Sequence, residues 1–332
     1  MPLLHPNLDR LLKLKQLIYN SLDPLIDRDY CLLDIPDHPN IGDQLIYEGE
    51  LDYLKRFKHK MLYESNDKYE DIKKIPVDSL ILLHGGGNFG DYWSSHQAFR
   101  KKIIQNFPTN RIIIFPQTVF YRRTENVLKD AEVFNQHPYL TICARDNYSY
   151  DLLKKHFTNN NILLLPDMAF CLDLSAHVND VKTNKALILM RRDKELKKNL
   201  DLQDIKKLIT EGRKIEIRDW PTMGANPEIK FRLVSLVNYI NRNIAPKLGK
   251  SIFRPLLNNK YGLLKGNFYS KWYMKEGVIF INKYEEIYTT RLHGYILSIL
   301  LNKKVFLIDN SYGKNSNFYN TWMDGFENSY YI

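Results

Sequence analysis

The chain has 332 residues, 44% of them hydrophobic and 26% charged, with a formal net charge of +10. These proportions are ordinary for a globular protein, and the length favours two domains over one. No apolar run approaches the length needed to span a bilayer, and the opening Met-Pro-Leu-Leu-His-Pro-Asn-Leu-Asp lacks the basic-then-apolar order of a signal peptide. Leu and Ile recur at helical spacing over 8–19, and Tyr30–Ile35 reads as a strand. The turn-rich stretch Pro36–Asp43 leads into an expected helix from Gln44 to about Phe57. Asp43 is either the cap of that helix or a carboxylate displayed at a strand end, where α/β proteins bind ligands. Asp78–His84 is a buried strand, followed by Gly85-Gly86-Gly87-Asn88-Phe89-Gly90-Asp91 and a helix from about Ser94 to Phe107. Three glycines between strand and helix allow a ligand close to the backbone, although the stretch is neither a P-loop nor a GxGxxG fingerprint. Tyr92 and Trp93 behind it are candidates for stacking on a sugar ring, or for the core.

The alternation continues with strands at Arg111–Phe115, Leu140–Ala144 and Ile162–Leu165 and helices near 124–136 and 148–156. Pro116-Gln117-Thr118, Arg145-Asp146 and Pro166-Asp167 follow these strands. Polar residues on one edge of alternating strands and helices predict a doubly wound parallel sheet. Residues 173–185 read as a linker, dividing the chain into domains 1–172 and 186–332. In the second, strands are expected at Ala186–Met190, Lys214–Ile217, Gly277–Ile281 and Lys304–Ile308, with helices near 201–211 and 227–243. Between Lys230 and Lys275 stand ten Lys or Arg and no Asp or Glu, interleaved with Phe268, Tyr269, Trp272 and Tyr273. This segment, 230–275, is either a solvated face around an aromatic core or a patch that docks on anionic lipid. Nucleic acid is not expected, because no recognition motif accompanies the charge. Cys31, Cys143 and Cys171 form no CxxC pair and read as buried, reduced thiols of a cytoplasmic protein.

Near the C-terminus, Thr289-Thr290-Arg291-Leu292-His293-Gly294 opens an apolar helix, with the two threonines at the expected N-cap. A helix N-terminus favours anions and opposes a charge on a nearby imidazole. Arg291 is therefore a candidate anion grip and His293 a candidate proton carrier.

Asn40-Ile41-Gly42-Asp43, Gly85-Gly86-Gly87-Asn88 with Gly90-Asp91, Pro116-Gln117-Thr118, Ala144-Arg145-Asp146 with Ser149, Pro166-Asp167 and Arg291-Leu292-His293-Gly294 occur in this order. Together they resemble the polysaccharide pyruvyl transferase family over about residues 38–315. The resemblance implies two Rossmann-like domains facing a cleft, as in GT-B glycosyltransferases. It implies transfer of an enolpyruvyl group from phosphoenolpyruvate to two hydroxyls of a sugar, giving a cyclic pyruvate ketal in surface (exo- or capsular) polysaccharide synthesis. By the same resemblance, His293 is catalytic; beside it Asp43, with Asp91 as the less favoured alternative, is the catalytic candidate that orients or deprotonates the acceptor hydroxyl. Arg291, Leu292, Arg191 or Arg192, and Lys314 bind phosphoenolpyruvate from the second domain. Gly85, Gly86, Gly87, Asn88, Asp91 and Arg145 face the acceptor from the first. Phosphoenolpyruvate is a co-substrate, no cofactor or metal is called for, and the acceptor is a sugar, polyprenyl-diphosphate-linked in one reading, at the inner face of the cell membrane. The alternatives are a GT-B-like glycosyltransferase using a nucleotide-sugar donor and a non-catalytic, membrane-docked assembly protein on the same scaffold.

Overall fold

A computed structural model describes residues 5–67, 71–179, 183–197, 199–223, 229–233 and 266–332, with side chains of the last segment described from 269. Most of the expected helix 227–243 and of the basic segment therefore lies outside the described residues; 229–233 are helical.

The first sheet comprises β1 (Tyr30–Leu33), β2 (Met61–Ser65), β3 (Leu80–Leu83), β4 (Gly86–Phe89), β5 (Ile112–Val119), β6 (Leu140–Ala144) and β7 (Asn161–Leu164). Its order is β2-β1-β3-β5-β6-β7, with β4 pairing on the end of β5, and every pairing is parallel. The helices α1 (Leu8–Leu22), α2 (Ile41–Leu54), α3 (Ser94–Asn106), α4 (Thr124–Phe134) and α5 (Asn147–His156) alternate with these strands. Central strands such as Leu80–Leu83 are buried throughout, which is why they read as unbroken apolar runs rather than alternating ones. The second sheet runs β12-β11-β10-β8-β9, also all parallel. It consists of β8 (Lys185–Leu189), β9 (Lys214–Arg218), β10 (Glu286–Thr289), β11 (Lys304–Leu307) and β12 (Ser329–Tyr331). Its helices are α6 (Leu202–Leu208), α7 (Gly266–Ile281), α8 (Leu292–Leu300) and α9 (Lys314–Trp322).

The structure corrects four sequence expectations. Gly277–Ile281 is the last part of α7, not a strand, and the strand at this place is Glu286–Thr289. A β-branched run with no polar alternation does not distinguish a buried strand from a buried helix face. Thr289 therefore ends a strand, and the residue before α8 is Arg291, not a threonine. Asp43 lies inside the first turn of α2 while Asn40 is its N-cap, accepting the amide of Gly42 at 3.1 Å. Finally, Tyr273 is buried, and Tyr269 and Trp272 pack partly buried against the core, so these three aromatics are not a free membrane-facing surface. Lys230 pairs with Glu276, just beyond the acid-free stretch, at 2.6 Å.

One hydrophobic cluster joins the two sheets. It contains Ile41 and Leu45 of α2, Ala169 and Phe170 after β7, Leu187 and Leu189 of β8, and Ile296 and Leu297 of α8. The N-terminal residues also reach across: the imidazole of His5 bonds the carbonyl of Ile299 at 2.8 Å, and Asn7 exchanges two hydrogen bonds with Glu327. Ile296 is fully buried within this shared core. Ile296→Ala is expected to cost about 2–5 kcal/mol. Because the core is shared, urea transitions followed by circular dichroism and by tryptophan fluorescence should remain coincident.

Candidate functional site

In both sheets the strand order reverses next to the first strand: β1 lies between β2 and β3, and β8 between β9 and β10. Ligands of open parallel sheets bind where the loops after such strands diverge. Here the two divergence points face one cavity of about 300 Å³. The loop after β1 contributes Asp34 to His38 and Asn40, and that after β3 contributes His84 and Gly85. On the other side, the loop after β8 contributes Arg191, Asp193 and Glu195, the loop after β10 contributes Arg291, and the first turn of α8 contributes Leu292 and His293. Arg145 arrives from the end of β6 and Lys314 from the start of α9.

The two sides touch through Asp167, a fully buried carboxylate just after β7. Its Oδ2 accepts from Arg145 Nη1 at 2.6 Å and lies 3.3 Å from His293 Nε2, while Oδ1 accepts the Ala169 amide at 2.9 Å. Burial alone would raise the Asp167 pKa, but His293 and Arg145 overcome it and hold the carboxyl well below the usual range. The second nitrogen of Arg145, Nη2, is buried without a hydrogen-bond partner among the described residues. It points at the glycine loop, for a Cβ on Gly87 would lie 2.9 Å from Arg145 Nη2 and 3.1 Å from Lys314 Nζ. Gly42 has the same role beneath the histidine: a Cβ there would come within 2.8 Å of His293 Nδ1.

Each remaining cation of the second side is held by an acid. Arg291 sends Nε and Nη2 to the two oxygens of buried Asp219, the latter at 2.7 Å. Arg191 bonds Asp193 through Nε and Nη2 and Glu195 through Nη1. Lys314 Nζ donates to Glu195 at 3.2 Å. Burial works against a charged Glu195, yet Lys314 and Arg191 pull its pKa down to about 2. Burial is the main cause that lowers the Lys314 pKa, with Arg191 and Arg145 adding to it against Glu195. On the first side, Asp43 accepts from Asn40 Nδ2 at 2.8 Å and lies 3.3 Å from His38 Nε2. Although burial opposes it, the surrounding His38, His293, His84 and Lys314 lower the Asp43 pKa.

Of the residues singled out in sequence, Asp43, Gly85, Gly87, Asn88, Arg145, Arg191, Arg291, Leu292, His293 and Lys314 line the cavity. Gly86 does not line it; it begins β4, paired with Gln117 of β5. Arg192 is exposed outside the cavity, so of the two arginines Arg191 is the one that faces it. Asp91 is also outside; its carboxylate accepts from the amides of Arg122 and Arg123 and from Asn126, bracing a turn. Tyr92 packs on Phe120 and Tyr312 beneath Lys194, whereas Trp93 lines the cavity. Sequence reasoning missed Asp193, Glu195 and Asp219, which hold the cations, and His38, His84 and Trp220, which line the cavity. It also missed the approach of Asp34, Asp67 and His96, whose possible ligand atoms lie within 4.8 Å of one another. Asp34 is already bonded to His96 at 2.8 Å and to Arg100 at 3.2 Å, so its charge is neutralised from within.

The family model of polysaccharide pyruvyl transferases matches residues 40–312. The chain belongs to this family. It is a pyruvyltransferase-family enzyme of polysaccharide biosynthesis. Among relatives, EpsO of Bacillus subtilis (strain 168), which also carries a pyruvyl transferase name, is 32% identical over 318 residues, covering 95% of this chain and 92% of EpsO. Pyruvyl transferase 1 of Schizosaccharomyces pombe (strain 972 / ATCC 24843) is 28% identical over 89% of this chain and 69% of its own length. A crystal structure of an uncharacterised protein from Klebsiella pneumoniae subsp. pneumoniae NTUH-K2044 superposes with a TM-score of 0.63 at 19% identity. It covers 96% of this chain and 98% of that one, a likeness of fold. Among the described residues, no helix is long and apolar enough to cross a membrane.

Two outcomes test the transferase site. Gly42→Ala should lower turnover by displacing the His293 ring, with a stability loss of about 1–3 kcal/mol from overpacking this buried contact, read by urea unfolding. Glu195→Gln should cost roughly 3–5 kcal/mol near neutral pH by breaking a buried ion pair. The folded Glu195 titrates below its ordinary 4.5, so its contribution is complete above that pH and is lost as pH falls towards about 2. The stability gap between wild type and Glu195→Gln, measured by urea unfolding, should narrow across that window.

Proposed function

We propose that the enzyme moves the enolpyruvyl group of phosphoenolpyruvate onto two hydroxyls of a sugar and closes a cyclic pyruvate ketal. The observation that carries this reading is the Arg145–Asp167–His293 contact: an anion-binding guanidinium and a proton-carrying imidazole, both lining the cavity, meet on one buried carboxylate behind its wall. The donor has a carboxylate and a phosphate, and it needs several fixed N–H groups. Arg145 Nη2 and Lys314 Nζ, together at the glycine loop, suit one of these anions. The N-terminal turn of α8, with Arg291 aligned by Asp219, suits the other. This reading moves Arg145 from the acceptor group to the donor group. The hydrogen-bond inventory supports it: all three arginines have close acid partners, but of the three only Arg145 keeps a buried nitrogen, Nη2, without a partner among the described residues.

In the proposed reaction His293 delivers a proton to the methylene carbon, making it a methyl. The adjacent carbon becomes electron-poor, and a sugar hydroxyl attacks it. Phosphate leaves, and a second hydroxyl closes the ring. Asp167 remains an anion far into acid and stabilises positive charge on the neighbouring imidazole. The 3.3 Å spacing between them is long for a hydrogen bond, leaving the ring room to turn to the donor. Asp43 faces the acceptor and orients or deprotonates one hydroxyl. Trp93 at the rim of the cavity offers a ring face to the sugar.

The test is phosphate release from phosphoenolpyruvate with a panel of p-nitrophenyl pyranosides, the products being weighed by mass spectrometry. An acceptor that gains the mass of a pyruvate ketal is the expected result. His293→Ala should lower turnover about 10²–10⁴-fold, and Arg145→Ala should chiefly raise KM for phosphoenolpyruvate. Release of a nucleoside diphosphate from a nucleotide sugar, with none of phosphate from phosphoenolpyruvate, would overturn the reading.

A further inference from the structure

A second histidine–carboxylate pair faces the same cavity from the first sheet. His84 follows β3 and is 3% exposed. Its Nδ1 lies 2.9 Å from Oε2 of Glu50, which is completely buried in α2. The other oxygen of Glu50 accepts the Gly85 amide at 2.8 Å. The His84 backbone is pinned at both ends, its amide to the Leu33 carbonyl and its carbonyl to Gln117 Nε2. The Glu50 carboxylate can only accept from a neutral ring, so it assigns the imidazole proton to Nδ1 and leaves a lone pair on Nε2. That Nε2 is buried and has no partner among the described residues, although His84 lines the cavity beside Gly85 and Asn88. A fixed, buried polar atom without a partner is uncommon unless a ligand completes it.

We propose that His84, seated on Glu50, is the second proton acceptor of the transfer, its Nε2 taking the proton from one of the two acceptor hydroxyls. This rests on the pyruvyl-transfer reading, whose stoichiometry calls for such a group. The two hydroxyls give up two protons. One ends on the methylene carbon, and the other has no place on the ketal and leaves with phosphate or solvent. In the closing step the second O–H bond breaks and its electron pair forms the second C–O bond. Nε2 holds the proton until the released phosphate or water takes it. Nothing is oxidised or reduced. The charged groups facing His84 are Glu50 and Asp43 of α2 and Asp34 after β1. Burial disfavours a charged ring, and these three carboxylates outweigh it, Glu50 most, raising the His84 pKa above its ordinary value. Asp43 and Glu50 are seven residues apart on α2, two turns along one face. That helix therefore carries one candidate base directly and seats the other, one for each hydroxyl.

His84→Asn keeps an N–H for Glu50 where Nδ1 stood and removes Nε2. With the pyranoside that supports phosphate release, its kcat should fall about 10²–10³-fold and the acidic limb of the kcat–pH profile should disappear. The Kd for phosphoenolpyruvate should stay within about twofold. A wild-type kcat and pH profile overturns the proposal, and so does a parallel loss of phosphoenolpyruvate binding, which marks His84 as only a brace for the glycine loop. Nitrogen-15 histidine spectra of the wild-type enzyme test it without a variant. The expected His84 signal is an Nδ1–H tautomer whose Nε2 resonance moves when the pyranoside is added with inorganic phosphate. An Nε2–H tautomer, or an Nε2 that does not respond, overturns it. Failure of wild type to release phosphate with any acceptor instead defeats the transfer reading itself.

Discussion

Asp167 is the point at which the two sheets become one site. A buried carboxylate is costly unless its oxygens are met, and Asp167 meets this by taking a guanidinium from its own side and an imidazole from the other. Its remaining oxygen caps the short turn at Met168–Cys171, which packs against α2. The same residue thus fixes the position of Arg145, faces His293 and anchors the turn that supports the helix carrying Asp43. Loss of its charge would leave a buried arginine uncompensated and the histidine without a counter-ion.

The other constraints follow from two parallel sheets whose strand ends face each other across the cavity. Both sheets present the ends of their strands to the cavity, so the functional groups come from many separate loops, those after β1, β3, β6, β8 and β10 among them. Rigidity comes from the strands and chemical variety from the loops. The cations have resident acids: Asp219 for Arg291, Asp193 and Glu195 for Arg191, Glu195 for Lys314. Such pairing orients long side chains before a ligand arrives and cancels part of their charge. An anionic ligand must therefore compete with internal carboxylates, which favours one that offers several anionic oxygens at once over a singly charged one.

The sequence made the architecture and many of the cavity residues legible, because both are written locally. Buried parallel strands appear as apolar runs, and their polar ends mark the binding edge. Ambiguity entered where the local signal was equal for two structures. Gly277–Ile281 is apolar enough for either a strand or a helix, and only the tertiary position of α7 decides. Asn40 and Asp43 are both good caps, and the one lying three residues earlier took the role. The acids that hold the arginines were invisible for another reason: Asp219 and Arg291 are separated by 72 residues, and nothing local to either announces the other. His84 and Glu50, on different elements, were hidden in the same way.

The hydrophobic cluster shared by α2, β8 and α8 bears on how molecules come and go. Two lobes joined only by a linker can swing apart on a hinge and admit bulky guests. Here such a swing would expose Ile41, Leu45, Ile296 and their neighbours to water, at roughly 25 cal/mol for each Å² uncovered. The clam-like route is therefore uphill, and traffic is directed to the rim, where Lys194 of the second side clasps the Tyr92–Trp93 corner of the first. Exposed contacts of that kind part and re-form at little cost. If the acceptor is a glycan, as proposed, its chain can lie along the open edge with only its terminal ring inside, and its length would not be limited by the cavity.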